Sequence, residues 1–308
     1  MDETDLVLSM LLLQNSRTPY RQLADKLSLS VPSVHKRIQA MREAGIIRAF
    51  TARVSLFAVG GLHVLVFGRS DAPSSEDVPE RLRKNDSIYW VTIAGGNYLY
   101  VGAYLKDLSE VESFVEFVKR EAKMPDPTVG IESVETGGPL KPPEERTLDS
   151  LDYGIIKSLH EDSRKSISEV ADELGVSAKT AGRHLQRMMD GFLVELSMEW
   201  YPDASNDIMT LFHLRLKGGA DKGKAMAVMV NKYSPHALFT WSFSNLPGFL
   251  LSMIWSNSMK ELKDIRARLQ NEPFVESIMP NVLYTGRIFQ TWRDKIPLER
   301  ARLTGRKD

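Results

Sequence analysis

Asp5-Leu-Val-Leu-Ser-Met-Leu-Leu-Leu-Gln-Asn-Ser-Arg17 is echoed by Asp152-Tyr-Gly-Ile-Ile-Lys-Ser-Leu-His-Glu-Asp-Ser-Arg164, roughly 147 positions later. The echo continues as Leu23-Ala-Asp-Lys-Leu27 and Ser30 return as Val170-Ala-Asp-Glu-Leu174 and Ser177. In each copy two short apolar-periodic segments are separated by a turn too tight for anything but a helix-to-helix connection. The pattern predicts two helix-turn-helix modules on one chain.

In the first module Thr4 is the expected N-cap of the opening helix, and Leu6, Met10 and Leu13 lie along one of its faces. Ser30 caps the third helix and Pro32 suits its first turn. Val34, Ile38 and Met41 form its buried stripe, leaving Ser33, Lys36, Arg37 and Gln39 outward. Hydroxyl, amide and basic groups opposite an apolar stripe are what entry into a DNA major groove requires. His35 reads as a solvent-facing or boundary residue. The strand expected from Ile46 to Val54 would form a wing, with Arg48 and Arg53 near phosphates. In the second copy Ala181, Leu185 and Met188 keep the stripe, while Lys179, Thr180, Arg183, Gln186 and Arg187 face out and His184 replaces Arg37. A retained buried face with a divergent outer face predicts a different half-site. The acidic residues Glu161, Asp162, Glu169, Asp172 and Glu173 leave open a purely structural second copy.

A segment of strand, helix, strand, strand, helix, strand follows each module: Leu62 to Phe67, Val78 to Lys84, Ile88 to Ile93, Tyr98 to Leu105, Leu108 to Glu121 and Val129 to Glu135 in the first, and Met209 to Leu216 through Val275 to Tyr284 in the second. Such a sheet leaves one face uncovered by its helices, and the other copy is the natural cover. The expected boundaries are 1–55 and 148–202 for the readers, 56–136 and 203–287 for the sheet segments, 137–147 for a Pro/Gly linker and 288–308 for a basic, solvated tail.

Forty basic and forty acidic residues balance, so affinity for a polyanion must come from local patches. The absence of cysteine excludes disulfides, thiolate catalysis and cysteine-held metal, and six scattered histidines point to no metal site. Neither a signal peptide nor a membrane span is legible, so a cytoplasmic protein without a membrane partner is expected.

The run Ser30-Val-Pro-Ser-Val-His-Lys-Arg-Ile-Gln-Ala-Met-Arg-Glu-Ala-Gly-Ile-Ile47 and the stretch Leu148 to Arg164 resemble the Lrp/AsnC feast/famine regulators over almost the whole chain, in two tandem units. The resemblance implies an α+β fold in which two winged helix-turn-helix domains alternate with two ferredoxin-like βαββαβ domains. It also implies an archaeal or bacterial transcription regulator that binds double-stranded DNA, forms homo-oligomers and has a place for a small-molecule effector; two units on one chain would make an intrachain pseudo-dimer, or, by pairing between chains, a swapped dimer with four readers. The family's effector loop places the weaker ligand candidates at Gly96, Asn97, Tyr98, Gly248 and Phe249. Leu99 and Leu250 stand where the family usually has an aspartate, which argues against amino-acid sensing. On this reading the chain is not an enzyme and needs no cofactor. The alternative is a siroheme decarboxylase-like or tetrapyrrole-binding protein on the same scaffold, for which His63, His213 and His236 are the available histidines. A third option is a sensor whose second half binds a ligand or a protein partner.

Overall fold

The computed structural model describes residues 1–133 and 147–303, so nearly all of the expected linker and the last residues of the tail lie outside the described residues. In chain order the elements are α1 (Glu3–Gln14), α2 (Tyr20–Leu27), α3 (Val31–Glu43), β1 (Ile47–Val54), β2 (Leu62–Arg69), α4 (Val78–Leu82), β3 (Ile88–Ala94), β4 (Tyr98–Leu105), α5 (Val111–Ala122) and β5 (Thr128–Ile131). The second half repeats them as α6 (Ser150–Ser158), α7 (Ile167–Leu174), α8 (Ala178–Asp190), β6 (Val194–Trp200), β7 (Ile208–Leu216), α9 (Lys222–Lys232), β8 (Ala237–Phe243), β9 (Leu246–Ser256), α10 (Met259–Gln270) and β10 (Val275–Ile288), followed by α11 (Trp292–Leu303). The fold is α+β, with helix-turn-helix elements in both halves. The chain divides into two compact units, a reader unit (7–61, 147–201 and 290–303) and a sheet unit (1–6, 62–133 and 202–289).

In the reader unit the apolar stripes are buried as their spacing requires: Leu23, Val34, Ile38 and Met41 in the first copy, and Val170, Ala181, Leu185 and Met188 in the second. Ser30 and Ser177 cap α3 and α8 by accepting from the backbone N–H of Ser33 and Thr180. Thr4 is not the cap of α1. Instead Asp2 and Asp5 exchange backbone-to-carboxylate bonds of 2.8 and 3.1 Å, as Asp149 and Asp152 do at the start of α6.

The wing expectation needs correction. β1 pairs antiparallel with β6, from Ile47 opposite Trp200 to Val54 opposite Val194, so each copy completes the other's ribbon. Arg53 is not near a phosphate site, because its Nε donates to Asp294 at 2.6 Å. Burial lowers the Arg53 pKa, but Asp294 and Glu195 outweigh it and hold the guanidinium firmly charged. Nor is the tail a solvated helix. Arg293 is 1 % exposed and donates to the Val54 carbonyl at 2.9 Å and to Glu195 at 2.7 Å. Arg53 and Glu195 are cross-strand partners, so the adjacent, opposite charges of Arg293 and Asp294 close a four-charge ring on the ribbon.

The sheet unit holds one eight-stranded sheet in the order β5-β2-β4-β3-β10-β7-β9-β8. β10 bridges its halves, pairing with β7 through Val282 and then with β3 from Leu283. The outer strands also meet: Ser133 N–H donates to the Ser242 carbonyl (2.9 Å), Ser244 N–H to that of Ile131 (2.8 Å), and Asn245 bonds Val129 and Ile131. No sheet edge is left open there. Helices α4 and α5 cover one face of the first half with Val78, Leu82, Phe114 and Val118, and α9 and α10 cover the second with Ala225, Met229, Leu262 and Ile265. β5 ends at Ile131, short of the strand expected to reach Glu135, whose last two residues lie outside the described ones.

Candidate nucleic-acid interface and aromatic cluster

The reader unit is organised about a contact between equal positions of the two copies. Ser16 Oγ and Ser163 Oγ, 147 positions apart in the sequence, are hydrogen-bonded at 2.5 Å. Arg17 Nη1 donates to the carbonyls of Ser163 (2.5 Å) and Lys165 (2.7 Å), and Arg164 Nη1 reciprocates to those of Ser16 and Thr18. Reciprocity of this kind is the mark of an isologous interface, here formed within one chain. Burial and the nearby Arg164 both push the Arg17 pKa down. Arg164 also lies 4.4 Å above the Tyr20 ring.

This local twofold relates α3 to α8. Lys36 and Arg183 occupy equal positions and are both exposed, as are Gln39 and Gln186. Each glutamine is tied to an acid one turn on, Gln39 to Glu43 (2.9 Å) and Gln186 to Asp190 (2.8 Å). Ser33 and Thr180 contact their capping serines at 2.8 and 2.9 Å. Arg37 is half-buried, and Lys179 is exposed at the start of α8. Arg48 is exposed and stacks 3.6 Å over Tyr201. A groove beside α3 is lined by Tyr20, His35, Gln39, Arg42 and Arg48.

Arg187 differs from the other outward candidates. Its Nη2 donates to Asp152, which is fully buried and also bonded to His184 Nδ1 at 2.9 Å. Burial raises the Asp152 pKa, but the bonds from Arg187, Asp149 and His184 prevail and hold the carboxyl below its usual range. The equal position in α3 is Ala40, so the first reader has no such anchor.

In the sheet unit, alternation along β2, β4, β7 and β9 turns one set of side chains away from the helices. There His213 Nε2 bonds the Tyr100 hydroxyl at 2.6 Å, and Asn281 Nδ2 donates to the same hydroxyl at 2.5 Å. Phe67, Tyr98 and Phe249 stand edge-on to the imidazole, with centroids 5.2, 5.6 and 5.4 Å away. Burial lowers the His213 pKa to about 4 and raises that of Tyr100, so both are neutral near pH 7. Arg69 and Arg215 lie two residues beyond Phe67 and His213, in register with Tyr98 and Phe249, and are exposed. His63 forms a separate cluster with Glu132, Tyr89 (2.9 Å) and Tyr104.

Of the weaker ligand candidates, Tyr98 and Phe249 meet at His213, whereas Gly96 and Asn97 are exposed turn residues and Gly248 is an exposed residue near the start of β9. Gly96 and Asn97 take left-handed backbone angles, φ 69° and 58°. Leu99 and Leu250 are fully buried under the helices, where a carboxylate would lack a partner. Sequence reasoning missed Ser16, Arg17, Asp152 and Arg215. The Ser-Arg doublet retained at equal positions of both copies was the available signal for the first two.

A winged helix-turn-helix DNA-binding model matches residues 1–48, and an AsnC-type helix-turn-helix domain model matches residues 148–189. An uncharacterized HTH-type transcriptional regulator of Pyrococcus horikoshii is 31 % identical over 124 residues, covering 39 % of this chain and 84 % of that protein. The HTH-type transcriptional regulator LrpA of the same organism is 29 % identical over 100 residues, covering 32 % of this chain and 71 % of its own length. The chain belongs to the Lrp/AsnC family of helix-turn-helix proteins, with the module present twice. Among solved structures, the siroheme decarboxylase NirDL covers 99 % of both chains with a TM-score of 0.61 at 13 % identity. That likeness is one of fold, and it runs the whole length of an enzyme. The expectation that the chain is not an enzyme therefore does not stand. No helix among the described residues is long and apolar enough to cross a membrane.

Proposed function

We propose that the reader unit binds double-stranded DNA through α3 and α8 as an intrachain pseudo-dimer with two non-identical readers. The observation that carries this reading is the reciprocal Ser16–Ser163 and Arg17–Arg164 contact, which sets two exposed, serine-capped helices about a local twofold. Half-site recognition needs that arrangement. Ser33, Lys36, Arg37, Gln39 and Arg48 would serve one half-site, and Lys179, Thr180, Arg183 and Gln186 the other, with Arg187 anchored on Asp152 as a positioning residue. In this reading 1–55 and 148–202 are the readers, and 56–136 and 203–287 are two ferredoxin-like halves. Selection of bound DNA from a random library, at stated salt, is expected to enrich an asymmetric motif with two half-sites about one helical turn apart. Arg183→Ala is expected to weaken binding by about 1–3 kcal/mol at one half-site. Equal affinity and an unchanged salt slope would remove Arg183 from the interface.

A second reading concerns the sheet unit, and by extent of shared fold it is the better supported: the likeness to siroheme decarboxylase runs end to end, whereas each regulator matches under half of this chain. Here the sheet unit takes a tetrapyrrole as substrate. The half-buried rings of Tyr98 and Phe249 suit contact with a flat macrocycle, and neutral His213 beside them suits its metal or a proton. Arg69 and Arg215 would meet peripheral carboxylates. Incubation with siroheme or haem is expected to give a shifted Soret band that His213→Ala abolishes, with loss of carbon dioxide from siroheme read by mass. An unshifted spectrum would discard this reading and leave DNA binding standing.

A further inference from the structure

We propose that Glu3, His236 and Glu261, at the start of α1, the entry to β8 and the first turn of α10, form a divalent-cation site of the zinc type within the sheet unit. One ligand atom from each residue lies within 4.8 Å of the other two. His236 Nε2 stands 4.0 Å from Glu3 Oε1, beyond hydrogen-bond reach. Two metal–ligand bonds of about 2.0–2.2 Å hold their donor atoms roughly 3.4 Å apart in a tetrahedral site, so a small closure of an exposed glutamate completes the geometry. The other ring nitrogen, Nδ1, is buried without a hydrogen-bond partner. The imidazole is therefore bonded through neither nitrogen, although Trp255 fixes its plane by stacking at 5.7 Å. Glu261 is oriented by the Asn257 N–H, which donates to its Oε2 at 2.7 Å. Two carboxylates beside an imidazole bonded through neither nitrogen, with no lysine or arginine paired to either among the described residues, form a donor set that a cation would draw together.

The other acid–histidine group among the described residues, Asp149, Asp152 and His184, already has its cation in Arg187 and serves as the control. Titration of the full-length chain with Zn2+ in a calorimeter, and with Co2+ followed by visible absorption, tests the site. One equivalent should bind, with a tetrahedral Co2+ spectrum. His236→Ala and Glu261→Gln should each weaken binding at least tenfold, and Asp149→Asn should not. Glu3→Gln alters only an exposed side chain and keeps the test decisive if His236→Ala does not fold. Absence of binding, or binding unchanged in Glu3→Gln and Glu261→Gln, would overturn the proposal.

Discussion

His213 is the residue whose charge state most directly links folding to pH. The folded chain keeps it neutral down to about pH 4 through burial, whereas an unfolded histidine takes up its proton near 6.5. Between these values the unfolded state binds more protons, so stability falls as pH falls, by up to about 3 kcal/mol over the whole window. His213→Phe should flatten the pH dependence of urea midpoints between pH 6.5 and 4, at the expense of the Tyr100 hydrogen bond. An unchanged slope would assign the acid sensitivity elsewhere. Alternation along β7 made the position of His213 legible in the sequence. Its partners were not legible, because Tyr100 lies 113 residues away and no local pattern encodes that approach.

Helices α6 and α8 are joined by one buried carboxylate. Asp152 begins as a capping-box residue of α6 and ends as the acceptor for His184 and Arg187 of α8. Replacing it with Asn leaves a neutral acceptor opposite a guanidinium that is one-third exposed, and should lower stability by about 2 kcal/mol. The same change frees Arg187, so salt-dependent affinity for DNA should rise even as thermal stability drops. A fall in both would make Arg187's geometry, not its charge, the contribution to binding. At this scale most of the fold was readable: apolar spacing located the helices of both readers, and Ser30 and Ser177 marked two of their starts. The ribbon of β1 and β6 was not readable, since pairing between segments so far apart depends on register and not on composition. The tail misled for a related reason. Arg293 resembles its solvated basic neighbours until Val54 and Glu195 are seen beside it.

In the molecule as a whole, each half relies on the other for its unpaired surfaces. Among the described residues β1 has no strand partner in its own half, and β3 and β5 bond to β10 and β8. A chain cut to residues 1–136 should therefore not remain a monomer. Light scattering on that fragment should give a dimer, with a second copy standing in for the missing half. A well-folded monomer would mean that each half is self-sufficient. The duplication itself was plain in the sequence. The functional class was not, because the scaffold carries both DNA readers and an enzyme at this level of likeness.

Phe67 and His213 stand at corresponding places on β2 and β7, each two residues before an arginine, and they face one another at 5.2 Å. In an assembly of identical chains, whatever sits beside the symmetry axis must meet its own copy, so an aromatic ring there can be opposed only by the same ring. Covalent fusion lifts that restriction. One copy presents a hydrocarbon face while the other presents a titratable base, giving a centre with unlike sides that no homodimer of either half could build.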